Sequence, residues 1–340
     1  MLSIRPFRNT DPPKLAEIWR QYFSKEAQRV VPVTETILQR NVLGLPFFDR
    51  QGLFIALEDD YPVGFAHASF GPNRNKSNVN LETGVVNLIM VVPKYPQKVE
   101  LSRLLLEHCE NYLKTKGAKV IFGGSTRSSV SFYTGLYGGC EPIGIYENEE
   151  PTLEVYESSG YDILYNTIRF EYDLRNYRTP FTPKSVAWKR KSTISYSREL
   201  PADNWFRSCT TIQFEWFEAT AVLKPHGERL GEIQIRIAQP LDVLGLNIQI
   251  PPTAALHNLQ IDDSVLHQGL GTFFLGETLR RLAVELNPSR VETIVMQEEE
   301  TFVKFLRKFG WKESGHGKVF IKILQDRRTE DRETPSTKVG

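Results

Sequence analysis

The hydrophobic pattern changes period along this chain in an order that occurs twice. In the first half, apolar-rich stretches over Gly52 to Glu58 and Pro62 to Phe70, joined by Asp59-Asp60-Tyr61, predict a hairpin. A continuous apolar run from Thr83 to Val92, interrupted only by Asn87, predicts a buried strand. A turn around Pro93 to Lys98 follows. Leu101, Leu105, Cys109 and Leu113 then recur at helical spacing until Gly117 stops the helix. A short strand over Ala118 to Phe122, a brief helix around Glu150 to Ser158, Gly160-Tyr161 and a strand from Ile163 to Tyr172 complete the unit.

The second half repeats this order. Trp216 to Lys224 and Gly231 to Ala238, joined around Pro225-His226-Gly227, predict another hairpin. An alternating strand (Leu256, Leu259, Ile261) meets a turn containing Gly269-Leu270-Gly271. A helix then presents Leu275, Leu279, Leu282 and Leu286 on one face. After Asn287-Pro288 come a strand from Val291 to Met296, a helix with Phe302, Phe305, Leu306 and Phe309, Gly310-Trp311, and a strand from Lys318 to Leu324. Each half opens with helical material, Pro13 to Ser24 and Ala202 to Thr211. A repeat this long predicts duplicated domains rather than a solenoid. The fold class is α/β in composition, with a mostly antiparallel mixed sheet flanked by helices in each half. The predicted boundaries are residues 1–175, a linker and first-strand region over 176–200, a second domain over 201–324, and a polar tail over 325–340 expected to be disordered. Within the linker, Tyr177 to Lys191 carries Pro180, Pro183 and Lys189-Arg190-Lys191, and reads as a solvated connection.

Composition narrows the function classes. At 340 residues, with 40% apolar and 24% charged residues, the chain fits about two globular domains. No apolar run is long enough to span a membrane, and the N-terminus reads as a first strand rather than a leader. The net charge of +1 gives no argument for nucleic acid or a membrane surface. Cys109, Cys140 and Cys209 are too far apart in sequence for a disulfide framework or a spaced metal site, so no metal is expected and a reducing cytoplasm is the default compartment.

The junction from Ile261 to Thr272 carries the chemistry. A strand that ends in a tight glycine turn and starts a helix at once leaves several N–H groups without partners, beside the positive end of the helix dipole. Glycines at 269 and 271 allow a ligand to approach the backbone. Leu266, His267, Gln268, Gly269, Leu270, Gly271 and Thr272 are therefore candidate binders of a phosphate or pyrophosphate. A dinucleotide fingerprint is excluded, because the third glycine and the acidic residue are missing. Asp262-Asp263 is explained by turn chemistry, and His267 reads as solvent-facing. His257 has two readings, a proton-transfer group with a useful titration range or a hydrogen-bonded histidine in a buried strand.

The window Leu266-His267-Gln268-Gly269-Leu270-Gly271, between a strand and a helix, resembles the cofactor loop of the GNAT superfamily of acyl-CoA-dependent N-acetyltransferases. Both glycines match; Leu266 stands where the family has an amide or basic residue. The ending Phe305-Leu306-Arg307-Lys308-Phe309-Gly310-Trp311 is similar to the family's last-helix motif, with Leu306 in place of its tyrosine. The first half resembles the same fold with a changed loop, Tyr95-Pro96-Gln97-Lys98-Val99-Glu100-Leu101. It keeps the tyrosine, in Val155-Tyr156-Glu157-Ser158-Ser159-Gly160-Tyr161. Tandem members of the family, mycothiol synthase among them, often pair one working domain with one degenerate one. The resemblance implies two tandem GNAT-like domains, with acetyl-CoA as acyl donor in the second. The backbone of Leu259, Gln260 and Ile261 would polarise the thioester carbonyl, and His257 would act as base. The implied acceptor is a primary amine of a small molecule, with a peptide amine also open. The rival reading is a non-catalytic acyl-CoA-binding or regulatory protein. Because the two domains can pair within one chain, a monomer is expected.

Overall fold

The computed structural model describes residues 1–23, 33–124, 132–136, 142–198, 205–211, 214–225, 227–238 and 253–324. The tail expected to be disordered and the middle of the turn at His226 lie outside these residues. In chain order the first half contains β1 (Leu2–Pro6), α1 (Pro12–Tyr22), α2 (Glu35–Leu38), β2 (Leu53–Glu58), β3 (Tyr61–Pro72), β4 (Val79–Val91), α3 (Lys98–Lys116), β5 (Val120–Gly123), β6 (Ile145–Tyr146), α4 (Glu150–Ser158) and β7 (Asp162–Asp173). The second half contains α5 (Pro183–Lys191), β8 (Ser192–Ser197), α6 (Trp205–Thr211), β9 (Glu215–Leu223), β10 (Arg229–Ala238), β11 (Thr253–Ile261), α7 (Leu270–Leu286), β12 (Arg290–Met296), α8 (Glu300–Phe309) and β13 (Lys312–Ile323).

Local chemistry accounts for the element ends. Gly117 and Gly310 close α3 and α8 in the left-handed conformation, at φ 105° and 106°, where a Cβ is disfavoured. β13 begins at Lys312, ahead of the expected Lys318, because two irregularities of register near Glu313 and Val319 carry a polar stretch through the ladder. Within Tyr177 to Lys191, read as a solvated connection, Pro183–Lys191 forms α5. Thr182 Oγ1 caps it by accepting from Ser185 N–H at 3.0 Å.

The described strands form one sheet rather than two. Its order is β1-β2-β3-β4-β5-β13-β7-β12-β11-β10-β9-β8, with β6 paired to β13. Each half's last strand has crossed into the other half. β13 pairs β5 of the first half, while β7 pairs β12 of the second, and the two exchanged strands pair with each other at the centre. The cores follow the exchange. Phe320 of β13 packs in the first core with Val85, Leu105 and Tyr156, whereas Ile168 and Phe170 of β7 pack in the second with Phe274, Leu279 and Val291. Both phenylalanines are fully buried, so each half lacks part of its core without the other.

Candidate functional site

Each half contains one pair of parallel strands that separate. In the second, β11 and β12 pair from Thr253 opposite Arg290 to Ala255 opposite Glu292, and then diverge. Beyond that point Thr293 Oγ1 donates to the Leu256 carbonyl at 2.9 Å. In the first, β4 and β5 pair from Thr83 opposite Val120 to Val86 opposite Gly123. Both halves also bulge beside the divergence. His257 is the extra residue where the β10–β11 register slips between Gln234 and Ile235. Asn87 is the extra residue where the β3–β4 register slips between His67 and Ala68. A bulge re-aims a side chain, so the same distortion places an imidazole in one half and a carboxamide in the other.

The strand-to-helix junction of the second half is a backbone cradle. Asp262 Oδ1 accepts from Ser264 N–H at 2.9 Å, and Gln268 Nε2 donates to Ser264 O at 3.0 Å, which stiffens the turn. His267 and Gly269 both take positive φ, 59° and 88°, and α7 begins directly after. Among the described residues, no acceptor in the chain meets a backbone N–H from His267 through Thr272. The first helical bond runs from Phe273 N–H to Gly269 O at 3.2 Å. Alternating left- and right-handed residues ahead of a helix turn such donors into one concavity that favours an anion.

α5 completes the cradle. Trp188 Nε1 donates to Gln268 O at 3.1 Å, and a Cβ built on Gly269 would lie 2.9 Å from both Cβ and Cδ of Lys184. Glycine is thus required at 269 by its φ and by the lysine stem across it. The expectation for Gly271 changes. A Cβ there would make only ordinary contacts with Phe305 at 3.5 Å and Ile261 at 3.9 Å, so the protein itself does not demand glycine. Lys184 escaped the sequence reading because it belongs to the segment read as a connection.

The other expected residues are placed as follows. Leu259 and Ile261 are half-buried and Gln260 is exposed, all on β11 past the divergence. Leu266 and His267 are exposed, while Leu270 is fully buried and anchors α7. His257 meets Trp216 edge-on, with ring centroids 5.2 Å apart. The Arg236 guanidinium, itself buried, lies 5.8 Å from the same indole. Leu306, at the family's tyrosine position, is fully buried in the second core.

The first half differs at each point. Tyr95 N–H donates to Val92 O at 3.0 Å, as Val265 N–H does to Asp262 O at 3.1 Å in the second half, but in the first-half loop Pro96 has no N–H and Leu101 N–H donates to Gln97 O at 2.9 Å. Its strand divergence holds a small cleft, partly open to solvent, lined by Tyr22, Asn87, Met90, Glu149 and Tyr156 among others. Burial holds the Tyr156 hydroxyl well above the usual phenol range, so it stays protonated. The sequence signal for this cleft was a single asparagine in an apolar run.

The comparisons with known proteins agree with this architecture. Residues 5–136 match the family model described as Acetyltransferase (GNAT) family. No curated protein matches the sequence. Among solved structures, a tandem GNAT protein from the clavulanic acid biosynthesis pathway is similar over 95% of this chain and 98% of its own, at TM-score 0.64 and 12% identity. A GCN5-related N-acetyltransferase from Sphaerobacter thermophilus is similar over 94% and 95%, at TM-score 0.60 and 15% identity. A glucosamine N-acetyltransferase region of a fungal multi-domain GH3 β-N-acetylglucosaminidase gives TM-score 0.66 at 15% identity, over 95% of this chain and 38% of that one. The protein therefore has the GNAT acetyltransferase fold. The family-model match falls in the first half, and the whole chain has the fold of a tandem GNAT protein.

Proposed function

We propose that this protein transfers an acetyl group from acetyl-CoA to a primary amine, with the donor held by the second half. The observation that carries this reading is the run of unmet N–H groups from His267 to Thr272 beside a helix start and Lys184. Those groups fit a pyrophosphate: backbone donors supply directed hydrogen bonds, and the Lys184 stem lies across Gly269. When bound, acetyl-CoA supplies an activated acyl carbon and a thiolate leaving group. The chain's own part is threefold. N–H groups of β11 past Ala255, freed from β12 by the divergence, face developing negative charge on a carbonyl oxygen. His257, at the bulge beside that gap, accepts the proton of the attacking amine directly or through water. With Leu306 in place of a hydroxyl, the departing thiol takes its proton from solvent, which a free thiol pKa of about 8.5 permits near neutral pH.

One observation favours the rival reading of a non-catalytic acyl-CoA-binding protein, namely the full burial of Leu306 where the family has its acid. Calorimetry of the whole chain with acetyl-CoA, followed by turnover assays with a panel of amines, separates the two. We expect one acetyl-CoA per chain. Gly271→Val puts a β-branched side chain where a ligand would approach the backbone, and should abolish binding with the fold intact. Lys98→Ala in the first-half loop should change little. Two molecules bound per chain, or full affinity in Gly271→Val, would sink the assignment; binding without turnover would select the rival.

A further inference from the structure

A run of three side chains leads from the first half to His257. Ile233, Ile235 and Ile237 of β10 face the second core, so Arg236 lies on the opposite face of the sheet, in register with Trp216 of β9. Arg236 is 5% exposed. Its guanidinium sits 4.8 Å from the Phe214 ring and 5.8 Å from the Trp216 ring, and Trp216 meets His257 edge-on. Phe214 in turn abuts the first half. A Cβ built on Gly135 would lie 2.7 Å from Phe214 Cε1 and 3.1 Å from Cζ. We propose that Phe214 is a positioning residue for the second half's site. Seated between Gly135 and Arg236, it sets the Arg236–Trp216–His257 stack, so the first half fixes where the imidazole stands.

Gly135 is itself held firmly. Tyr133 is buried, stacks on Trp19 with centroids 5.8 Å apart, and has its Oη 2.9 Å from His67 Nδ1. Leu136 N–H donates to the Tyr133 carbonyl at 3.1 Å, closing a turn in which Gly135 takes φ 81°. α6, shortly before Phe214, is anchored to the first half as well. Phe206 N–H donates to the Lys76 carbonyl at 3.2 Å, and its ring lies 4.9 Å from that of Phe47. In a close-packed interior a methyl added at 135 must displace something, and the edge of the Phe214 ring is the part able to yield. A guanidinium beside two aromatic rings is attracted to both, so displacing one ring shifts the cation and the indole behind it. The effect on turnover rests on His257 accepting the amine proton; the effect on geometry does not.

Nuclear magnetic resonance of the whole chain, labelled at histidine and tryptophan, tests the geometry without any substrate. Gly135→Ala should move the Trp216 indole and His257 ring signals, assigned through Trp216→Phe and His257→Ala. Phe214→Ala alone should also move both, and supplies the test should Gly135→Ala not fold. Gly160→Ala controls for backbone strain: Gly160 also takes a left-handed φ, 77°, but a Cβ there meets none of the described residues within 4 Å. It should leave both signals in place. In the Phe214→Ala background, adding Gly135→Ala should move neither signal further, since sites that act through one contact are non-additive. Turnover gives the second readout. Gly135→Ala should lower kcat about tenfold to a hundredfold, the cost of a small misplacement, with KM for acetyl-CoA unchanged. Moved signals in a protein that turns over no amine would uphold the positioning and sink only the acyl-transfer reading. Unmoved signals in Gly135→Ala or Phe214→Ala, equal shifts in Gly160→Ala, or shifts that persist without the Phe214 ring would overturn the proposal, as would an undiminished kcat in an active Gly135→Ala protein.

Discussion

The two halves share a scaffold and differ at the strand bulge and at the turn that follows it. Both separate a parallel strand pair, and both place a bulge beside the separation. At the bulge stands Asn87 in one half and His257 in the other. On the partner strand before the bulge stand His67 and Gln234. On the helix after the cleft stand Tyr156 and Leu306. In the turn, Val99 and Leu101 face Gly269 and Gly271. The first half has kept a walled cleft and a protonated tyrosine; the second has kept the unmet N–H cradle. Sheet pairing tolerates these exchanges because the ladder depends on backbone groups, while the bulge and turn depend on side-chain type. The same fold therefore carries a walled cleft in one half and a donor cradle in the other.

The exchanged strands give the comparison its largest test. Phe320 stacks on Tyr156, with centroids 5.3 Å apart, so Phe320→Ala opens a cavity in the first core although the residue belongs to the second half. Phe170→Ala does the reverse. Each should cost about 3–5 kcal/mol in denaturant unfolding, the usual range for a buried Phe→Ala. Hydrogen exchange should show Phe320→Ala loosening β2 to β5, and Phe170→Ala loosening β9 to β12. If each variant loosened only its own sequence half, the strand exchange would be wrong. The same exchange implies that neither half, cut at residue 175, folds with a complete core.

Much of the architecture was legible because its signals are local. The two hairpins, the strand–turn–helix junctions and the glycine helix ends follow from periodicity and turn chemistry. Strand exchange was not legible, because β7 and β13 have similar patterns and either fits beside β5 or β12; partner choice is set by the whole sheet. At the cradle, the sequence identified Gly269 but could not show that Gly271 has room for a Cβ. Lys184 was hidden by the proline-rich composition around it, and Asn87 by the apolar run it interrupts. His257 was visible as a residue type, but its place at a bulge depends on register with β10.

The next test concerns His257 against Asn87. If the histidine accepts the amine proton, His257→Ala should lower turnover about 10²–10⁴-fold with little change in acetyl-CoA affinity. The acidic limb of the pH–rate profile should disappear with it. His257→Asn, which installs the first half's bulge residue, should behave like the alanine variant, because a carboxamide has no titration in this range. An unchanged rate and pH profile in both variants would make His257 a structural residue packed on Trp216.

The smallest expected effect sharpens the remaining difference, His67 against Gln234. His67 is fully buried, and burial lowers its pKa from 6.5 to about 3. Its Nδ1 lies 2.9 Å from Tyr133 Oη, a hydrogen bond compatible with the neutral ring. A histidine held neutral in the fold makes no pH-dependent contribution well above pH 6.5, where both states are unprotonated. As pH falls through 6.5, the unfolded chain takes up a proton that the folded chain refuses, and stability declines until about pH 3. At pH 5 the loss should be about 2 kcal/mol. His67→Gln places the second half's residue at this position, can still hydrogen-bond Tyr133, and has nothing to titrate. Unfolding free energies of the two proteins, measured from pH 7 to pH 5, should therefore diverge, with the wild type losing about 2 kcal/mol more than the variant. Parallel pH dependence in both would show that His67 protonates within the fold and that Tyr133 and its neighbours accommodate the charge.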